Sequence, residues 1–223
     1  MDNFVKIPSS IILNQSLGEK RIIAFTSIMV SDWNGKDITS LVRYSKYSEC
    51  RDKSGVLNQY KKLVDLFSEQ GYFNMVDGGI VYIEKSERFG TVYYSEIQKI
   101  LNLRDEYKRK NKRLNHAQLL LILSYIRLYM IRRKGFPEMH SNLLVRISEN
   151  TGLSVRSISS CLKVLEQLEI IHNEELPRYK DKDGCWHSNV RIFVNIKRHG
   201  DTSYNWRHET SLSVKYVYAN QID

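Results

Sequence analysis

Cysteine is scarce in this 223-residue chain. Cys50, Cys161 and Cys185 are odd in number and widely spaced, which excludes a disulfide framework and gives no zinc-ligand spacing. Cys161 reads instead as a small core residue. Long apolar runs are also missing. The longest, Leu119 to Leu123, is far too short to span a bilayer. Met1-Asp2-Asn3-Phe4 lacks a basic region followed by an apolar core, so no secretory signal is expected. These absences predict a cytoplasmic, nucleoid-associated protein with no membrane partner.

Catalytic signatures are missing as well. No glycine-rich loop ends in Lys-Ser or Lys-Thr, so no phosphate-cradling nucleotide site is expected. There is no Gly-x-Ser-x-Gly elbow and no His-Glu-x-x-His helix. The six histidines, His116, His140, His172, His187, His199 and His208, include no two separated by a single apolar residue. Tyr93-Tyr94 therefore reads as the start of a strand or helix, not as a DNA-cleaving nucleophile. Glu174-Glu175 reads as a solvated pair beside a hairpin, and Asp77-Gly78-Gly79 as a hairpin turn. The expectation is a non-enzyme without cofactor or metal.

What the chain does have is positive charge. The formal net charge is +9, which favours an anionic partner such as nucleic acid. Residues 1–90 carry 12 Lys and Arg against 11 Asp and Glu, whereas residues 91–223 carry 22 against 14. Nearly all of the excess therefore lies in the second part.

That part holds the most informative stretch, Ser141 to Val194. A short amphipathic run, Leu143 to Asn150, is broken at Thr151-Gly152-Leu153-Ser154 and followed by a second run, Val155 to Glu169. Gly152 suits a positive-φ turn, and Ser154 suits the N-cap of the second helix. Ile147, Leu153, Ile158, Cys161, Leu162, Leu165 and Leu168 form the expected inward side, and Ser148 leaves room for close helix approach. The outward side offers Ser154, Arg156, Ser157, Ser159, Ser160 and Lys163, residue types that hydrogen-bond to phosphates and base edges. A hairpin around Asp183-Gly184 follows, with period-2 alternation through Trp186, Val190, Ile192 and Val194. Arg178, Lys180, Lys182 and Arg191 lie on or beside it. This order is that of a helix-turn-helix with a β-hairpin wing, and double-stranded DNA is its expected partner. A charged hairpin alone is weak evidence, because most charged turns are merely solvated.

A degenerate repeat runs through the chain. Phe4 to Ile7 resembles Phe89 to Val92, Leu17 to Ser27 resembles Leu114 to Ser124, and Leu41 to Ser45 resembles Leu144 to Ser148. Leu57 to Gln70, with the hairpin Tyr72 to Ile83, parallels Val155 to Glu169 and its hairpin. The expected fold is α+β and mainly helical: two tandem winged-helix domains, each a three-helix core with a β-hairpin wing. The boundaries fall at 1–87 and 88–200, with a tail at 201–223. The first copy is the weaker reader, although Lys53, Ser54, Asn58, Gln59, Lys61 and Lys62 are expected to face outward from its second helix. The growing offset marks Leu103 to Arg113 and Arg132 to Pro137 as insertions.

The run Lys108, Arg109, Lys110, Lys112 and Arg113 has two readings: a solvated face, or a track for phosphates that adds salt-dependent affinity. The apolar segment Leu114 to Ile131 reads as a central core helix, with a homodimer face as the sharper alternative. Tyr204 and Trp206 in the tail have two open readings, stacking on bases or on protein.

Phe4-Val5-Lys6-Ile7-Pro8-Ser9-Ser10-Ile11-Ile12, with Gly18-Glu19-Lys20-Arg21 and an apolar helix, resembles the opening of replication initiators from plasmids and phages of Gram-positive bacteria. Leu153 to Ile158 with Lys163 to Glu166 looks like a winged-helix recognition helix, and Arg178 to Gly184 like a wing. The resemblance implies tandem winged helices that bind repeated origin sites and recruit replication machinery. A transcriptional regulator of a phage or mobile element, recruiting transcription machinery, would share this chemistry. A winged-helix adaptor or inhibitor would bind protein instead, and the basic second part speaks against it.

Overall fold

The computed structural model describes residues 4–31, 53–76, 79–83, 85–112, 114–129, 131–133, 136–140, 143–175, 179–180, 186–187 and 191–195. The first strand, β1 (Phe4–Pro8), alternates as its sequence dictates, with Val5 and Ile7 buried and Phe4 exposed. It leads into α1 (Ser9–Leu13), a single 3-10 turn at Gln15–Leu17, and α2 (Lys20–Ser31). Then come α3 (Lys53–Glu69), the hairpin β2 (Phe73–Val76) and β3 (Gly79–Tyr82), β4 (Phe89–Tyr93), α4 (Tyr94–Arg109) and α5 (His116–Tyr129). The last third runs β5 (Ile131–Arg133), β6 (Phe136–His140), α6 (Leu143–Thr151), α7 (Val155–Gln167), β7 (Ile171–Glu175), β8 (Tyr179–Lys180), β9 (Trp186–His187) and β10 (Arg191–Asn195). The described chain is thus mainly helical with small antiparallel sheets, the α+β class that the patterning predicts.

The helix α5 is the centre of the molecule. Every side chain from Leu119 to Ile126 is buried, and a helix apolar all round must be enclosed. It packs against α1, α2, α4, α6, α7 and β4. Its apolar surface is covered within the chain, so the core-helix reading holds and this helix offers no dimer face. Contact with β4 requires Gly90. A Cβ at that position would lie 2.1 Å from the Ser124 carbonyl oxygen, a separation that real Cβ atoms do not show.

A buried ion pair fastens the same junction. The Arg127 guanidinium donates to Glu96 at 2.5 and 2.6 Å and to the Thr91 carbonyl at 2.8 Å. Glu96 also accepts the Tyr93 backbone N–H at 2.9 Å, capping the start of α4. Both side chains are 4% exposed or less, so each charge depends on the other for the solvation it has lost. A second buried cation, Arg21, is hydrogen-bonded by backbone carbonyls, and the Glu19 charge also acts on it. It donates to the carbonyls of Ile11 and Ile12 at 2.6 Å and to that of Gly18. These are carbonyls left without partners at the end of α1 and in the turn beyond it. Burial pushes the Arg21 pKa down to about 10, so it remains a cation at neutral pH.

Around this centre, the rings of Phe25, Phe67, Tyr72 and Phe73 seat α3 and β2 on α2, with Phe25 to Phe67 centroids 5.6 Å apart at 81°. The buried apolar side chains form one continuous core on both sides of residues 85–88.

The sheets fix the topology. In the four-stranded antiparallel sheet the order is β5-β6-β10-β7, so the last strand lies between the strand preceding α6 and the strand following α7. The pairs β2 with β3 and β8 with β9 form separate hairpins. The repeat-related segments β1 and β4 pair with one another, from Phe4 opposite Tyr93 to Pro8 opposite Phe89. Exchanging the two strands at the repeat offset maps this register onto itself, with Lys6 and Thr91 at the centre.

Several local expectations shift. The segment expected at Leu57 to Gln70 begins earlier, at Lys53. Of the stretch Leu103 to Arg113, the part to Arg109 continues α4, which ends at a turn where Asn111 has φ +52°. Arg132 to Pro137 falls within the β5–β6 hairpin. The repeat segment Leu41 to Ser45 lies outside the described residues.

Candidate nucleic-acid interface

The α6–α7 corner is built from the residues that the spacing singled out. Gly152 has φ +74°, which a side chain would strain, and its N–H donates to the Ser148 carbonyl at 2.9 Å. Thr151 closes the end of α6 by donating its hydroxyl to the Ile147 carbonyl at 2.6 Å. Ile147, Leu153, Ile158, Cys161, Leu162 and Leu165 are buried against α5 and its neighbours. Leu168 is partly buried. The Cys161 thiol is pushed up to about 12, chiefly by burial, which leaves it an unreactive packing group.

The corner is also buttressed from the amino-terminal part of the chain. Gln15 donates its side-chain amide to the Glu149 carbonyl at 2.6 Å, and its Oε1 would stand 3.2 Å from a Cβ at Gly152. Tyr125 of α5 donates its hydroxyl to the Arg146 carbonyl at 3.3 Å and accepts from the Asn150 amide at 3.2 Å. Burial pushes the Tyr125 pKa up to about 12, so it stays a neutral donor. Lys99 of α4 donates to the Leu168 carbonyl at 3.0 Å, covering the other end of α7.

What this frame presents is the first three turns of α7. Ser154 has extended backbone (φ −67°, ψ 146°), and its Oγ accepts the Ser157 N–H at 3.2 Å. The two hydroxyls lie 2.9 Å apart, so both are committed to the cap. Val155, Arg156, Ser160 and Lys163 are exposed, while Ser157 and Ser159 are half-buried. At 100° per residue, Arg156, Ser160, Lys163 and Gln167 form one outward stripe. Gln167 was legible as the next step of that period and was not among the residues expected to meet DNA.

The basic turn closes α4. Lys108, Arg109, Lys110 and Lys112 are all exposed. Lys110 pairs with Glu106 at 2.6 Å, an exposed contact of little energetic weight. The chain then enters α5, where Asn115 and Gln118 donate to the Glu19 carboxylate at 2.7 and 2.8 Å. The charge of Glu19 also acts on the Cys161 thiol, and α5 packs against α7.

On α3, Asn58, Lys61 and Lys62 are exposed as expected. Gln59 is half-buried instead of outward, and accepts from Lys20 at 3.4 Å. Lys53 opens α3, Lys180 lies in β8 and Arg191 in β10. Arg113, Arg178, Lys182, Tyr204 and Trp206 lie outside the described residues. Among the described residues, no group of three or more His, Cys, Asp or Glu could hold a metal ion, and no helix is long and apolar enough to cross a membrane.

No protein-family model matches the chain, and comparison with curated proteins and with solved structures finds no match.

Proposed function

We propose that this protein is a non-catalytic, sequence-specific binder of double-stranded DNA. Residues 116–195 follow the order helix, two strands, helix, helix, strand, hairpin, strand, with the last strand between the others. That order supports a winged-helix reading, with α7 as the recognition helix and the β7–β10 pair as the wing. The observation that carries the reading is the start of α7: a glycine turn buttressed by Gln15, a serine cap, and an exposed stripe of Arg156, Ser160 and Lys163. Arg156 suits the acceptors of a guanine edge, and Lys163 and the Lys108–Lys112 turn suit phosphates. The pairing of the repeat-related strands β1 and β4 with one another supports a first winged-helix domain at 1–87.

The finer reading is a plasmid or phage replication initiator, resting on the resemblance of residues 4–12 and 18–21. Duplex binding followed across a salt series tests the class. Affinity should fall linearly with salt on logarithmic axes, and negligible duplex binding at low salt would end the proposal. Genome-wide footprinting tests the role. Direct repeats beside the protein's own gene are expected of an initiator, and a promoter operator would make it a regulator.

A further inference from the structure

The ribbon β1–β4 carries an aromatic, cationic outer face that the duplex-binding reading leaves unused. Phe4 and Phe89 are each 42% exposed although they lie in paired strands. Between them, in register, sit Lys6 and Thr91. The Lys6 ammonium stands 5.0 Å from the centroid of the Phe89 ring, and Tyr93 meets Phe4 edge-on at 6.1 Å. Tyr93, opposite Phe4, lies four residues from Phe89, or about 13 Å along the strand. Two rings are thus spaced along one face with a cation between them.

The surroundings extend the charge. An open groove lined by Lys85, Ser86, Glu87, Arg88 and Phe89 lies at the Phe89 end. Arg88 donates to the Leu128 carbonyl at 2.7 Å and covers the Tyr129 ring, and Lys85 donates to the Gln70 carbonyl and covers the Tyr72 ring. These partners are neutral, so both positive charges remain uncompensated by them. Among the described residues that line the groove, the one carboxylate, Glu87, accepts from Ser9, Ser10 and Tyr72. A second copy docking symmetrically on this face would set Lys6 against Lys6. The occupant the face suits has flat π surfaces joined by regularly spaced negative charge.

We propose that the β1–β4 face and the adjoining groove bind single-stranded nucleic acid, with bases stacked on Phe4 and Phe89 and phosphates beside Lys6, Lys85 and Arg88. Stacking of this kind tolerates any base, because every base has a π face. The face shares no residue with α7, so its test is distinct from that of duplex recognition.

The test is fluorescence anisotropy at low salt with labelled oligo-dT, labelled oligo-U and a random-sequence duplex. The double variant Phe4→Ala, Phe89→Ala should lose about tenfold in single-strand affinity for each ring removed and bind the duplex as before. Lys85→Gln should reduce the salt dependence of single-strand binding alone. Phe89→Leu keeps apolar bulk but not the flat ring, and should show its share of the loss with an unchanged melting temperature. Comparison of the dT and U arms decides between DNA and RNA as the preferred strand. Three results would overturn the proposal: no single-strand binding by the wild type, equal binding by the double variant, or a wild-type dimer that the double variant converts to monomer in sedimentation.

Discussion

The helices α3 and α7 are each followed by an antiparallel hairpin and each pack on the α2–α5 centre, yet their outward faces differ. On α7 the exposed positions from Ser154 to Lys163 are Ser154, Val155, Arg156, Ser160 and Lys163, with no carboxylate among them. On α3, exposed Lys61 and Lys62 share the surface with exposed Asp65 and Glu69. One helix presents a cationic and hydroxyl stripe, while the other presents mixed charge, which is an ordinary solvated face. Similar packing demands produce similar inward sides, and function is written on the side that packing leaves unconstrained.

The strongest way to break the comparison is to remove the frame that both helices share. Glu96→Ala strands the Arg127 charge in the interior and should cost about 3–5 kcal/mol. Urea unfolding should show the loss, and duplex binding should fall with the folded fraction. Replacing both members, Glu96→Leu with Arg127→Met, should recover much of that stability, because the desolvation of two charges is then avoided. Next in size is Gly90→Ala. Overpacking usually costs about 1–3 kcal/mol, and an approach to rigid backbone at 2.1 Å puts this change at the upper end. If Gly90→Ala unfolds at the wild-type urea midpoint, β4 does not approach α5 as closely as described.

A sharper contrast comes from charge removal on the two helices. On the DNA-binding reading, Arg156→Ala should weaken binding to the selected site by about ten- to a hundredfold, with little change on random duplex. Lys61→Ala with Lys62→Ala should act on all sequences alike, lowering the logarithmic salt slope by at most about 0.9 for each phosphate no longer neutralised. A sequence-selective defect from α3 and none from α7 would reverse the assignment of reader and support.

Much of α7 was legible in the sequence because the signals are local. A glycine at the turn, a serine at the cap and apolar residues at helical spacing specify the corner without reference to anything distant. The enclosed helix α5 was legible from apolar density alone. The sheet order β5-β6-β10-β7 was not, because its β6–β10 pairing joins segments more than fifty residues apart and no short-range pattern encodes it. The start of α4 was less legible, because its cap is the Glu96 carboxylate accepting the Tyr93 N–H and not the usual serine or aspartate at the N-cap. The pairing of Arg127 with Glu96 and the reach of Gln15 to Glu149 are properties of packing, and isolated residue types do not announce them.

The smallest effect separates the two uses of serine within α7 itself. Ser154 accepts the Ser157 N–H, so Ser154→Ala should lower stability by about 1 kcal/mol. Ser160 is exposed in the middle of the same helix, and Ser160→Ala should leave stability within about 0.5 kcal/mol. Duplex affinity should follow a different order. Ser160→Ala should reduce it with the fold intact, whereas Ser154→Ala should reduce it only as far as the first turn of α7 frays and Arg156 loses its fixed position. Thermal melts and anisotropy titrations on both variants give the two orders. If both serines change stability equally and binding not at all, the outward stripe of α7 is a solvated face like that of α3, and the difference between the two helices is one of charge alone.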